Sequence, residues 1–254
     1  MKKVIFITGG SAGIGRAAVK KFIKEGWKIG FMDSNIDEAS KLLETIDDSD
    51  SILFTEGNVR HRDDIHKAVT ATINKFGALN SVFANAGIHR INTILDITDE
   101  ELDLMVQTNI YGVINTLREA IPHIITAGGG SIVINASDQW FVGKPASFAY
   151  GMTKGALGQI TRSLAIDLGP KNIRVNAICP GTTHTPLVDN LFNKRSVESG
   201  ISVEDLLKEE ASLYARGSIG KPEEVAELAY FLASDAASFC TGGHYLVDGG
   251  LVAS

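Results

Sequence analysis

Seven short apolar runs punctuate the chain: Val4 to Ile7, Lys28 to Met32, Ile52 to Thr55, Ser81 to Ala84, Ile132 to Asn135, Arg174 to Ile178 and Tyr245 to Val247. Near-continuous runs of this kind fit strands buried on both faces. Helix-length segments separate them. Between Ile14 and Glu25, residues Ala17, Ala18, Phe22 and Ile23 make an inward stripe, and Gly26 supplies a stop. Pro222 stands at a helix start, followed by Glu223 and Glu224, whose charges suit a helix N-terminus. Strands alternating with helices predict an α/β fold: one doubly wound domain over residues 1–254, a seven-stranded parallel sheet with helices on both faces.

Two long helices are expected, Glu100 to about Thr126 and Phe148 to Leu168, with Gly128-Gly129-Gly130 ending the first and Pro122 loosening its last turns. The stretch Leu187 to Gly217 breaks the strand–helix rhythm. It is rich in charge, holds two short helical patterns at Leu187 to Asn193 and Val203 to Tyr214, and is expected to be a substrate lid.

Composition narrows the function classes. With 44% hydrophobic residues the chain has ample core, and a formal charge of -6 with no Lys/Arg stripe argues against nucleic-acid binding. Cys179 and Cys240 are expected to be free thiols in a reducing compartment. The apolar run after Lys2 and Lys3 is too short for a signal peptide, and no stretch approaches membrane-spanning length. A soluble cytoplasmic protein without a metal is the expectation.

The first strand runs into Thr8-Gly9-Gly10-Ser11-Ala12-Gly13-Ile14-Gly15 and then a helix. Glycines there let the backbone turn tightly beside a phosphate, which the helix N-terminus attracts. Asp33 closes the second strand, where a carboxylate accepts hydrogen bonds from adenosine ribose hydroxyls and repels a 2′-phosphate, so NAD is expected over NADP. Farther on, Tyr150 and Lys154 lie four apart on one helix face, thirteen residues after Ser137. An ammonium beside a phenol favours phenolate, which suits proton transfer at an alcohol or ketone. A Tyr and a Lys at this spacing also form an ordinary amphipathic face.

Four motifs in order give the chain its resemblance to the short-chain dehydrogenases/reductases in their simple, non-extended form. The glycine turn fits TGxxxGxG, Ala84 to Gly87 fits NNAG with its first Asn replaced, Tyr150 to Lys154 fits YxxxK, and Pro180 to Thr185 fits PGxxxT. The resemblance covers Lys3 to Leu251 and implies a Rossmann-like fold, a homotetramer and the catalytic set Asn109, Ser137, Tyr150 and Lys154. In it Tyr150 moves the hydroxyl proton, Ser137 holds the substrate oxygen, Lys154 lowers the phenol's pKa and holds the nicotinamide ribose, and Asn109 anchors a water. The cofactor residues it implies are Gly9, Ser11, Gly13, Ile14, Gly15, Asp33, Asn58, Val59, Asn85, Ala86, Gly87, Tyr150, Lys154, Pro180, Gly181, Thr183 and Thr185. Asn58-Val59 departs from the family's frequent Asp-Val, so the adenine contact would use an amide. Small residues Gly155, Ala156, Gly158 and Ala165 permit close helix pairing between subunits or within one.

By analogy the substrate meets His89, Gln139, Trp140 and His184, with Arg90, Asp138 and Lys144 nearby. So polar a set suits a sugar, polyol or hydroxy acid, a carboxylate meeting the cations. The leading expectation is an oxidoreductase moving a hydride between NAD and a secondary alcohol or ketone. Its alternatives are an NADPH-dependent ketone reductase, a non-catalytic nucleotide-binding protein on the same fold, and a hydrolase using Ser137 with Lys154, which leaves the glycine turn without a role.

Overall fold

The computed structural model describes residues 2–253. Its strands are β1 (Val4–Thr8), β2 (Lys28–Asp33), β3 (Ile52–Glu56), β4 (Ser81–Ala84), β5 (Gly130–Asn135), β6 (Ile173–Pro180) and β7 (His244–Val247). They form one sheet in the order β3-β2-β1-β4-β5-β6-β7, every pair parallel. All seven predicted strands are present, extended by a residue or two where backbone pairing outlasts the apolar run. Strand order reverses between β1 and β4. A doubly wound sheet opens a crevice at the carboxyl ends there, and this is where the site lies.

The two faces are covered by different helices. On one side Val4, Phe6, Val82 and Ile132 pack against α3 (Arg62–Phe76), α5 (Gly112–Thr126) and α6 (Phe148–Leu168). On the other, Ile5, Ile7, Phe83 and Val133 meet α1 (Gly13–Lys24), α2 (Ile36–Leu43) and α9 (Pro222–Ala233). Neighbouring residues of one strand thus enter opposite cores, the period-two consequence of the pleat. Within α1 the expected stripe is largely inward: Ala17, Ala18 and Phe22 are buried, and Ile23 packs at the margin.

One element differs from expectation. The helix predicted from Glu100 to Thr126 is broken into α4 (Asp99–Val106) and α5 by a π turn over Gln107–Tyr111. Pro122 lies inside α5, which runs on to Thr126, so the interruption falls well before the predicted one. Its cause is Asn109: the side chain accepts from Ile88 N–H at 2.8 Å and donates to Ile88 C=O at 2.9 Å and to Thr153 Oγ1 at 3.1 Å. A polar side chain drawn to a neighbouring backbone competes with the regular helical ladder.

The segment from 187 to 217 folds as a helix pair, α7 (Pro186–Ser199) and α8 (Val203–Ser212). Thr185 caps α7 by accepting from Val188 N–H, Gly200 turns the chain at φ 73°, and Ser202 caps α8.

Candidate active site

A cavity of about 1100 Å³ runs from the glycine turn, past the ends of β4 and β5, to the α7–α8 pair. At its first end the backbone leaves β1 through Gly9 (φ 66°), whose N–H donates to Met32 C=O at 2.8 Å. Ala12 precedes α1 without a side-chain cap, so the N–H groups of the first turn face the cavity with no side chain of the protein answering them. The buried hydroxyl of Ser11 likewise has no protein partner. Uncapped amides and an orphaned donor in a glycine turn fit a dinucleotide phosphate.

Asp33 stands at the end of β2 in the same cavity. Its Oδ2 accepts from Ser11 N–H and its Oδ1 from Asn35 N–H, each at 3.0 Å, which fixes the carboxylate and leaves lone pairs for hydroxyl donors. Asn58 and Val59 follow β3 and also line the wall. The Asn85 side chain is engaged by the fold itself. Its Nδ2 donates to Thr8 C=O and Gly9 C=O, both at 3.0 Å, and its Oδ1 accepts from Asn135 at 2.9 Å. These bonds tie the glycine turn to β5. Ala84 is buried within β4.

Deeper in, Ser137, Tyr150 and Lys154 line the cavity together. Ser137 Oγ donates to Asp138 Oδ1 at 2.7 Å and accepts from Gln139 N–H at 3.2 Å, and it stands near enough to the Tyr150 phenol to favour the phenolate. Lys154 Nζ donates to Asn135 C=O at 2.7 Å and lies 5.5 Å from the Tyr150 ring centroid. Asn109 lies behind them, holding the Ile88 backbone from the π turn. Gly87, Pro180, Gly181, Thr183 and Thr185 close the wall between the two ends.

The electrostatics correct the expectation about Lys154. Burial lowers its pKa to about 8, and its ammonium is drawn to the Asn135 carbonyl and the ring face, away from direct contact with the phenol oxygen. Tyr150 is pushed above the ordinary phenol range by burial and then by Asp138; Ser137 and Lys144 pull it back. Lys144 is thus a cation that favours the phenolate. A dinucleotide's positively charged nicotinamide would add to that pull.

Of the substrate candidates, His89 and Gln139 line the cavity, with Arg90, Asp138 and Lys144. His89 stacks on Tyr150 with ring centroids 4.1 Å apart, and its Nε2 lies 3.0 Å from Ser147 Oγ. Burial, then Lys154, Lys144 and Arg90, hold its pKa down to about 4, so it is neutral at physiological pH. Two candidates are displaced. Trp140 turns away to stack on His244 at 5.2 Å, over the notch left by Gly158 and beside Arg162. His184 is exposed and pairs with Asp189 at 3.2 Å outside the cavity. Gly158 of α6 serves an internal fit, since a Cβ there would stand 2.6 Å from the Trp140 ring.

Sequence reasoning did not single out Thr182, Glu210 or Tyr214, which gather around Lys144, nor Leu191 and Leu213, which line the α7–α8 side. Only their polar clustering in the atypical segment signalled them. Among the described residues no helix is long and apolar enough to cross a membrane, and no group of three or more His, Cys, Asp or Glu is placed to hold a metal.

A parallel sheet with a glycine turn at its reversal point and a Ser–Tyr–Lys constellation across the crevice defines a nucleotide-dependent oxidoreductase, and comparison with known proteins agrees. The family model described as enoyl-(acyl carrier protein) reductase matches residues 9–252. The NADP-dependent (R)-specific alcohol dehydrogenase of Lentilactobacillus kefiri is 34% identical over 99% of this chain and 97% of its own. The 3-oxoacyl-(acyl-carrier-protein) reductase FabG of Thermotoga maritima is 34% identical over 98% of each. In structure, the ligand-free aldohexose dehydrogenase of Thermoplasma acidophilum superposes with a TM-score of 0.89 at 31% identity, covering 100% of this chain and 95% of that one. The chain belongs to the short-chain dehydrogenase/reductase family, as an oxidoreductase of the kind that acts on alcohol or ketone groups.

Proposed function

We propose that this protein is an NAD-dependent dehydrogenase of a neutral, polyhydroxylated secondary alcohol, a sugar or polyol. The observation that carries the reading is a single cavity with Asp33 and an uncapped helix start at one end and the neighbouring Ser137–Tyr150 couple at the other. When bound, the dinucleotide supplies the hydride acceptor. Gly9, Ser11, Gly13, Ile14 and Gly15 form the turn that receives its phosphates, Asp33 takes the adenosine ribose, Asn58 and Val59 border the adenine, and Asn85, Ala86 and Gly87 floor the crevice. Pro180, Gly181, Thr183 and Thr185 hold the nicotinamide side. Tyr150 takes the carbinol proton during oxidation and returns it during reduction, Ser137 bonds the substrate oxygen, and Lys154 orients the nicotinamide ribose. Asn109 holds the backbone behind Lys154.

Two of the three basic residues expected to meet a carboxylate are otherwise engaged, while Arg90 in the cavity wall forms no ion pair among the described residues. Lys144 is paired with Asp138 at 3.1 Å and Glu210 at 3.4 Å, and His89 is uncharged, so neither is available to a carboxylate. The carboxylates of Asp138 and Glu210, the Thr182 hydroxyl and the Gln139 amide remain to bond hydroxyl groups. The aldohexose dehydrogenase among the structural relatives accords with this choice. Purified protein with NAD and a panel of sugars, polyols, hydroxy acids and apolar alcohols should reduce the cofactor fastest with the first two. Turnover confined to apolar alcohols would remove the substrate assignment.

NADPH-dependent ketone reduction is the second reading, favoured by the cofactor of the L. kefiri relative and by Arg60, which lines the cavity beyond β3 and forms no ion pair among the described residues. Against it, uncharged Ser34 follows Asp33, and Arg16 is bound to Glu38. Replacing Asp33 by Ala should cut the preference for NAD over NADP by about tenfold or more, because it removes a charge facing the 2′-phosphate. Dissociation constants for both cofactors, read by Trp fluorescence, check this; an unchanged ratio would assign discrimination elsewhere.

The reading includes a homotetramer in the cytoplasm, paired through α4–α5 and α6, whose outer surfaces expose Tyr111, Phe148, Met152 and Ile166. Light scattering that returned a monomer would exclude the assembly.

A further inference from the structure

Lys144 is a lysine in an unusual position. It comes from the loop between β5 and α6, yet its side chain is only 20% exposed and its ammonium meets four partners, one in the same loop and three farther along the chain. Asp138 Oδ2 is at 3.1 Å, Tyr214 OH at 3.2 Å, Thr182 Oγ1 at 3.3 Å and Glu210 Oε1 at 3.4 Å. Thr182 and Tyr214 each donate in turn to Glu210, at 2.6 and 3.1 Å. The loop that carries Lys144 ends at Ala146, a non-glycine residue at φ 50°, a backbone conformation held only where its surroundings require it.

Asp138 is the second member. Its side chain is 2% exposed and stands beside Ser137. A hydroxyl has one proton, and that of Ser137 goes to Asp138, so the oxygen meets Gln139 N–H as an acceptor. Burial and the Asp138 charge both favour the protonated phenol, the form suited to reduction. For oxidation the phenol must lose that proton next to a buried carboxylate, which opposes the change.

We propose that Asp138 and Lys144 form a positioning pair for the Ser137–Tyr150 couple: Asp138 aims the Ser137 proton, Lys144 neutralises Asp138 so that the phenol can ionise, and α8 holds Lys144 through Glu210. The pair acts through Ser137 and Tyr150. Other groups facing the phenol do not supply this balance. His89, after β4, is neutral, Cys179 on β6 is a buried thiol pushed up to about 12, and Lys154 on α6 is held by the Asn135 carbonyl. Tying Lys144 to α8 makes the charge beside the phenol depend on where the helix pair sits. A substrate hydroxyl that drew Glu210 or Thr182 away would alter the phenol's ionisation as it bound.

The proposal rests on the dehydrogenase reading and is independent of the substrate class. Its test compares Lys144→Met, Asp138→Asn and the double variant in two measurements. The first is the pH profile of kcat for oxidation of whichever alcohol the wild type turns over. Lys144→Met should move the acid-side midpoint up by about one pH unit or more, Asp138→Asn should move it down, and the double variant should return towards wild type. The second needs no substrate: the ¹³Cζ resonance of Tyr150 in the NAD complex, assigned by its loss in Tyr150→Phe, should titrate in the same order. Opposite shifts from two neighbouring substitutions are not produced by general loosening of the site. If Lys144→Met does not fold, the near-isosteric Asp138→Asn decides alone by its downward shift. Midpoints unmoved in Asp138→Asn, or moved in the same direction by both substitutions, would overturn the pair. Absence of turnover on every alcohol would count against the dehydrogenase reading, while the resonance order still judges the pair.

Discussion

Replacing Tyr150 by Phe is expected to leave cofactor affinity within about twofold and to lower turnover by about two to four orders of magnitude, the usual cost of losing a positioned general acid or base. The ring itself survives the change. Its stacking on His89 at 4.1 Å needs only the aromatic face, so the variant keeps the packing and loses the oxygen that stands near Ser137. The pH dependence carries the stronger signature. Burial and Asp138 hold the phenol above its ordinary range, so wild-type oxidation should rise with pH as the proton leaves, and reduction should fall over the same interval. In Tyr150→Phe the remnant activity should be without that limb. Steady-state rates between about pH 6 and 10, with reduced-cofactor fluorescence as the binding control, provide the measurement. Near-normal turnover would sink the proton-transfer role.

Gly15→Ala should abolish useful cofactor binding while leaving most of the fold in place. A methyl on Gly15 would stand 1.8 Å from the Gly9 carbonyl oxygen and 2.8 Å from Asn85 Nδ2. Both contacts are with parts that cannot yield cheaply: one is backbone, and the other is the amide that ties the turn to β5. Relief requires α1 to move off the turn, which carries away the uncapped amides facing the cavity. Overpacking of this kind costs about 1–3 kcal/mol, or roughly 2–12 °C in Tm for a chain of this size. Cofactor affinity should fall by tenfold or more, about 1.4 kcal/mol per decade. Calorimetry of dinucleotide binding together with a thermal melt separates the two effects. An affinity equal to wild type would mean that the turn is not the phosphate site.

Much of this arrangement can be read from the chain because it rests on local rules. Apolar runs place strands, glycines at positive φ mark the turn after β1, and the four-residue spacing of Tyr150 and Lys154 on a helix fixes their common face. Side chains whose direction is decided by tertiary partners are not legible in this way. Trp140 follows Ser137 by three residues, which points it towards the same cavity, but the notch at Gly158 offers its ring more contact than the polar pocket does. His184 sits within the PGxxxT run, yet Asp189 one turn into α7 draws it to the surface. Helical spacing sets Lys154 on the face of the phenol, yet its ammonium donates a hydrogen bond to a backbone carbonyl on β5. Lys144 is legible only as a nearby cation. Its partners Thr182, Glu210 and Tyr214 lie 38 to 70 residues away, and no periodicity links them.

The π turn at Gln107–Tyr111 imposes a rule of length on this part of the chain. One residue added to an α-helix rotates everything after it by about 100° around the axis. Met105 before the turn and Val113, Leu117, Ala120 and Ile124 after it are all buried, so the two helical halves present their apolar faces in phases offset by that step. Substitutions between 107 and 111 that spare the Asn109 side chain leave this gearing intact. A one-residue deletion would straighten the helix, rotate one half out of mesh with the sheet, and swing Asn109 away from Ile88. The segment works as a cam, setting the angle between a packed helix and a catalytic loop by residue count.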